Sequence, residues 1–301
     1  MKKKCILISG PTAVGKTALG IEIARHFSTS IISADSRQCY RELNIGVAKP
    51  TESELQLVKH YFINSHSIHD NINAADFETY ALHAVNEIFT TSDIALMVGG
   101  TGLYTKAFQF GLDQIPQVPQ DIRTQLNESF EKLGLDWLTE ELKTKDPEFY
   151  NNGEIQNPQR MLRALEVKIF TGKSIRSFQR NTKATRNFEC INININLDRN
   201  ELYQRINTRV DLMFEQGLVK EVEALIPYKN MNALQTVGYR ELFDYFENLI
   251  TLEEAIEKIK QNTRHYAKRQ ITWLKHQLPE AHVFSPNPQA VVSFIESIVR
   301  N

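Results

Sequence analysis

Cys5-Ile-Leu-Ile-Ser9-Gly10-Pro11-Thr12-Ala13-Val14-Gly15-Lys16-Thr17 decides the fold. A short apolar run ends in Gly-Pro, and residues 16–27 follow with Leu19, Ile23 and Phe27 at helical spacing. Gly10 to Thr17 fit G-x-x-x-x-G-K-[ST] in full, in the strand-then-helix context that a phosphate-binding loop requires. Glycines let successive backbone N–H groups close around phosphate oxygens, and the following helix adds its positive N-terminal end. Lys16 supplies a charge between phosphates, and the Thr17 hydroxyl is placed to ligate Mg2+.

Working outward, 31–33 reads as a second strand and 74–89 as a helix, with Asp70 and Asn73 as candidate caps. A third strand at 94–98 closes in Gly99-Gly100, and another helix begins at 103–108. Strands alternating with helices predict a parallel sheet covered on both faces. Behind Pro116 and Pro119 the strand signal vanishes, and 121–132, 135–143 and 158–171 carry helical periodicity. Strand character returns at 191–197. Helices then run to the end, broken near Pro227 and by the apolar piece 282–284. The expected architecture is α/β: a phosphate-loop NTPase-like parallel sheet core over 1–114 and 188–301, carrying a helical insertion domain at 115–187.

Composition narrows the class. With 42% hydrophobic and 24% charged residues in 301, the chain is neither a disordered segment nor a small disulfide scaffold. Cys5, Cys39 and Cys190 are far apart and form no CxxC pair, which predicts a reducing compartment and no structural zinc. The basic opening Met1-Lys-Lys-Lys imitates a signal peptide, but the apolar run after it is too short, and no stretch approaches the roughly 20 residues needed to cross a bilayer. A cytoplasmic protein is expected.

A phosphate loop names a bound group, not a reaction. Phosphate-loop hydrolases carry an acidic residue at the end of a hydrophobic strand. Here the strand at 94–98 ends in Gly99-Gly100-Thr101-Gly102, and the carboxylate comes instead after the second strand, in Ser33-Ala-Asp35-Ser36. The carboxyl ends of strands form the ligand crevice of an open α/β sheet, so Asp35 should face the phosphate loop. An Asp there can be a general base, a carboxylate that holds the waters of a magnesium ion, or a helix cap.

The near-neutral net charge of −1 hides segregation. From 157 to 186, Arg160, Arg163, Lys168, Lys173, Arg176, Arg180, Lys183 and Arg186 face one acid, Glu166, whereas 121–154 holds nine acids against four bases. A second basic segment spans 264–276, where Arg264, Lys268 and Lys275 share one side of a helix and Ile259, Tyr266 and Trp273 another; a third lies at 205–209. Charge clustered this way suits a polyanion. Two classes stay open on these residues: a small-molecule kinase with a helical lid, and a nucleic-acid-modifying transferase using the loop for another phosphorylated donor. An eight-residue basic cluster exceeds the two or three lid arginines a kinase needs.

Together the motifs resemble the tRNA dimethylallyltransferases, also called isopentenyl-tRNA transferases, across essentially the whole chain. The matching segments are the phosphate loop, Ser33-Ala-Asp-Ser-Arg-Gln38 with Tyr40, Asn44-Ile-Gly-Val-Ala-Lys-Pro-Thr51, Ala75-Asp-Phe77 and Val98-Gly-Gly-Thr-Gly-Leu-Tyr104. Asn157-Pro-Gln-Arg-Met-Leu-Arg-Ala-Leu-Glu166, Val237-Gly-Tyr-Arg240 and Ala267-Lys-Arg-Gln270 complete the set. The resemblance implies transfer of a dimethylallyl group from dimethylallyl diphosphate to N6 of the adenine 3′ of the anticodon. The loop Gly10, Pro11, Thr12, Ala13, Val14, Gly15, Lys16 and Thr17 would then hold a prenyl diphosphate, with Mg2+ on Thr17. Asp35 matches the family's base, Arg209 joins Lys16 and Thr17 on the leaving group, and Thr101 matches a residue contacting the target nucleotide.

The same resemblance implies that Asp35, Ser36, Arg37, Gln38, Arg123, Gln159, Arg160, Met161, Leu162, Arg163, Gln235, Gly238, Tyr239, Arg240, Lys268, Arg269 and Lys275 face the tRNA anticodon stem-loop. The adenine would be turned outward into a channel between the two domains. A monomer without membrane contact is expected. His60, His66 and His69 fit no zinc spacing and read as loop histidines, and Cys39 as a small buried thiol.

Overall fold

In a computed structural model that describes residues 2–179 and 183–299, every strand lies parallel to its neighbours. The strands are β1 (Lys4–Ser9), β2 (Ile31–Ser33), β3 (His60–Tyr61), β4 (Ile94–Gly99), β5 (Glu189–Ile195) and β6 (His282–Phe284), standing in the order β3-β2-β4-β1-β5-β6. Central strands buried on both faces need apolar side chains on both, and β1 supplies them. Cys5 and Leu7 enter one core with Ile32 and Met97; Ile6 and Ile8 enter the other with Leu96, Val98, Ile193 and Ile195.

The chain divides into two compact units, Met1–Gln109 with Thr185–Asn301, and Phe110–Ala184. The second unit has its own core, built from Leu126, Leu138, Leu142, Phe149, Met161, Leu162 and Leu165. Its helix Pro158–Thr171 starts at Asn157, whose side chain accepts from the N–H groups of Gln159 and Arg160, with Pro158 at the first turn where a missing N–H costs nothing. Asn73, rather than Asp70, caps the helix Ala74–Ile88 through a reciprocal box with Asp76.

The two helices expected at 121–132 and 135–143 are present within Gln120–Lys145, separated by a kink where Gly134 takes φ 76°. Two elements add to expectation. The histidine-bearing loop contributes β3, a two-residue edge strand too short to show any periodicity. The piece at 282–284 is the opposite edge strand, paired with β5.

The register carries the ends of β1, β2 and β4 to one edge, Ser9 beside Gly99 and Ser33 beside Val98. The Gly99-Gly100-Thr101-Gly102 turn is glycine-rich because its neighbours leave no room. A Cβ on Gly99 would sit 2.2 Å from the Ala34 carbonyl oxygen, one on Gly100 2.4 Å from Gln270 Nε2, and one on Gly102 2.4 Å from the Trp273 ring. Backbone cannot swing away as a side-chain tip can, so Gly99→Ala should cost about 1–3 kcal/mol by overpacking. A lower urea midpoint with unchanged m-value checks this; an unchanged midpoint would mean that the Ala34 backbone yields freely.

Candidate functional site

The phosphate loop is held open from several sides. Gly15 takes φ 102° immediately before the helix Lys16–His26, so no side chain caps that terminus. Lys16 Nζ donates to the Pro11 carbonyl at 2.7 Å. Gln270 bridges two turns, its Oε1 accepting from the Thr12 N–H at 2.8 Å and its Nε2 donating to the Gly100 carbonyl at 2.9 Å. Arg209 Nη1 donates to Thr12 Oγ1 at 3.4 Å.

The turn after β2 is fixed with equal care. Asp35 Oδ1 accepts from the N–H groups of Arg37 at 2.9 Å and Gln38 at 3.3 Å. No α-helix follows, so Asp35 caps a tight turn, and both hydrogen bonds to its carboxylate fall on Oδ1. Thr101 locks this turn to the end of β4: its N–H donates to the Ala34 carbonyl and its Oγ1 accepts from the Ser36 N–H, both at 3.1 Å. Gln38 Nε2 donates to the carbonyls of Val47 and Ala48 at 3.3 and 3.1 Å.

Two cavities meet here. One, about 250 Å³, is lined by Lys16, Thr17, Gly99 and Gly100. The other, about 370 Å³, is lined by Ser36, Arg37, Val210, Met213, Val237, Ile259, Arg240 and Arg269 among others. Thr12, Asp35, Val47, Ala48, Arg209 and Tyr266 line both. A polar chamber at the phosphate loop thus opens onto a larger one with an apolar wall, and a carboxylate stands where they join.

Electrostatics favour an anion in the smaller chamber. Desolvation, with Arg209 nearby, lowers Lys16 to about 7, against the pull of Asp35. Burial likewise lowers Arg209. Cys39 is inert at neutral pH, since burial and then the Asp35 charge push its thiol to about 12. His60 bonds the Val58 carbonyl, His66 the Ser65 hydroxyl, and His69 packs edge-on against Tyr228.

The residues expected to face RNA divide. Gln159, Arg160, Gln235, Arg240, Lys268, Arg269 and Lys275 are exposed. Arg123 and Arg163 lean on the buried carboxylate of Glu166, at 3.4 and 3.0 Å. Met161 and Leu162 are corrections: they sit in the core of the second unit, where the apolar stripe of their helix must point. Tyr239 is another. Its side chain is fully enclosed, with the hydroxyl bonded to Glu221, whereas Gly238 beside it lines the larger cavity. Arg186 leaves the basic cluster, pairing with Glu78 at 2.6 Å and with the carbonyls of Ala107 and Phe108. Arg180 lies outside the described residues. Sequence reasoning gave Gln270 and Tyr266 no role, although both sit in segments it quoted; the crowding glycine at 100 was the available signal for Gln270.

A sequence profile of the family described as IPP transferase matches residues 38–277. The tRNA dimethylallyltransferase of Christiangramia forsetii is 48% identical over 299 residues, covering 99% of each chain. That of Cytophaga hutchinsonii is 45% identical over 99% of this chain and 98% of its own. Among solved structures, the tRNA isopentenylpyrophosphate transferase of Bacillus halodurans is similar with TM-score 0.71 and 33% identity, over 99% of this chain and 96% of that one. A eukaryotic dimethylallyltransferase acting on tRNA is similar with TM-score 0.76 and 27% identity, over 96% of this chain and 75% of that one.

The lowered Lys16 makes anion binding proton-linked. Below about 7 the ammonium is already charged; between there and 10.5 it must recover a proton to meet a diphosphate. Inorganic diphosphate at about pH 8.5 should therefore take up close to one more proton on wild type than on Lys16→Arg, whose guanidinium stays charged. Calorimetry in buffers of different ionisation enthalpy measures this, and equal uptake would place Lys16 outside the anion's reach.

Proposed function

Because the chain belongs to the IPP transferase family, we propose that its two joined cavities transfer a dimethylallyl group from dimethylallyl diphosphate to N6 of the adenine 3′ of the tRNA anticodon. Prenyl transfer to tRNA is the activity; phosphorylation of a small molecule is not favoured by relatives that are tRNA prenyltransferases along their full length. The observation that carries the finer reading is the join itself, where Asp35 stands between the chamber at the phosphate loop and the larger, partly apolar one.

The donor's diphosphate occupies the loop from Gly10 to Thr17, and its prenyl carbon points across the join. An exocyclic adenine amine is a weak nucleophile, its lone pair delocalised into the ring, so it must be oriented and relieved of a proton as the bond forms. The C1–O bond breaks with its electron pair leaving on diphosphate, the C1–N6 bond forms, and the N6 proton passes to Asp35. Lys16, Arg209 and the loop amides meet the charge that builds on the departing group. The hydrogen bonds to Asp35 Oδ1 fix the carboxylate and leave Oδ2 to act.

A diphosphate substrate calls for a divalent cation. Mg2+ keeps several waters and takes phosphate oxygens with one or two protein oxygens, which suits the Thr17 hydroxyl in a chamber where no group of three His, Cys, Asp or Glu gathers among the described residues. The Thr17 hydroxyl would hold the ion there, and the ion would supply positive charge against the leaving diphosphate. The helical unit 110–184 grips the anticodon stem-loop with the exposed Gln159 and Arg160, while Arg240, Lys268, Arg269 and Lys275 serve the same RNA from the core. A cytoplasmic setting agrees with three free cysteines and with the absence, among the described residues, of any helix long and apolar enough to cross a membrane.

Asp35→Asn keeps the turn cap and removes the proton acceptor. With both substrates saturating, single-turnover transfer should slow by about 10²–10⁴-fold while tRNA and donor binding hold. A rate within a few-fold of wild type would move the base elsewhere. In the helical unit the two arginines should separate. Arg160→Ala weakens tRNA binding and lowers the salt slope by about one without changing the melting temperature. Arg163→Ala, which strips a partner from buried Glu166, lowers the melting temperature as well. Identical behaviour of the two would refute that division.

A further inference from the structure

We infer that Glu221, together with Tyr239, is a positioning residue for the transfer step, acting through the backbone of the loop Asn44–Lys49. This rests on the prenyl-transfer reading above. Glu221 lines neither cavity. It stands on the short helix Leu218–Glu223, and both its oxygens are spent on the loop. Oε2 accepts from the Ile45 N–H at 2.7 Å; Oε1 accepts from the Gly46 N–H at 3.0 Å and from the Tyr239 hydroxyl at 2.6 Å. The Tyr239 ring closes the arrangement, lying where a Cβ on Gly46 would be, at 2.6 Å.

Two residues later the same loop becomes the working wall. Val47 and Ala48 line both cavities, Ala48 in a left-handed conformation at φ 47° that an alanine adopts only when its surroundings impose it. Their carbonyls receive the two bonds from Gln38 Nε2, and the Gln38 N–H is one of the donors to Asp35 Oδ1. A continuous hydrogen-bonded path therefore runs from Glu221 through the loop and Gln38 to the carboxylate at the join. Three charge-assisted bonds from one carboxylate are strong and directional, which is what a wall needs when the reacting atoms must meet within a fraction of an ångström. The role also accounts for Tyr239 and Gly46, two motif residues that expose no side chain to RNA.

Three variants test it: Tyr239→Phe, which removes one donor and leaves both amide bonds; Glu221→Gln, which keeps the shape and turns one acceptor into a donor; and Glu221→Ala. Single-turnover prenyl transfer per folded molecule, with both substrates saturating, should fall in that order, by a few-fold, about 10-fold and about 100-fold. Affinities for tRNA and inorganic diphosphate should stay near wild type, because neither the basic face nor the phosphate loop is touched. Exchange of the Ile45 and Gly46 amide hydrogens should quicken in the first two variants, which reads the loop even where activity is small. The deficit should persist well below each variant's melting temperature. A wild-type rate per folded molecule, or full recovery on cooling, would reduce Glu221 to a structural contact and overturn the proposal. Failure of the wild type itself to prenylate unmodified tRNA would instead sink the activity on which it rests.

Discussion

Three turns from three different strands must come within van der Waals contact at one edge of the sheet, and the missing β-carbons after β4 are what allow it. With Gly99 against the Ala34 backbone, Gly100 under Gln270 and Gly102 under Trp273, the end of β4 is pressed between the turn after β2 and the helix Leu252–Gln277. From that closeness follow the bonds of Thr101 to Ala34 and Ser36, and the bridge of Gln270 from Gly100 to the phosphate loop. Each turn is a poor structure alone. Locked together they hold a carboxylate and an ammonium at a fixed spacing on a rigid sheet, the preorganisation that charge-stabilising catalysis requires.

How the charges are kept apart is as informative as how they are gathered. In the smaller chamber, burial and then the neighbouring Arg209 raise the cost of ionising Lys16, Asp35 only partly offsets it, and burial alone does the same to Arg209. The chamber is thus short of negative charge until a ligand arrives. In the helical unit the opposite holds, because Glu166 already serves Arg123 and Arg163, and Glu154 serves Arg160. Exposed pairs such as the last are weak and easily exchanged for phosphate, whereas pairs on a buried carboxylate are architectural.

What could be read from the chain depended on the range of the interaction. The phosphate loop was legible because its chemistry is written in consecutive residues, and so were the buried strands, whose apolar runs advertise themselves. The two-residue β3 was not, since its pairing to β2 comes from the sheet and not from any pattern of its own. Gln270 meets Thr12 across 258 positions and Glu221 meets Ile45 across 176, so neither role leaves a local trace. Motif membership misled in one respect. Met161, Leu162 and Tyr239 belong to segments whose pattern points to RNA, but an amphipathic helix must turn some residues inward, and these are the ones it turned.

The strand order has a consequence for how the molecule is made. β1, one of the two central strands, leaves the ribosome before its neighbours exist: Lys4 pairs with Ile94 on one side and Glu189 on the other. At ordinary translation speeds the second partner arrives roughly ten to forty seconds after the first residues emerge. Through that interval an apolar run of Ile6, Leu7 and Ile8 has at least one edge without a backbone partner, and the nascent chain must be shielded from its own kind. The three lysines at positions 2–4, a repulsive block directly ahead of that run, are well placed to discourage neighbouring chains from pairing with it.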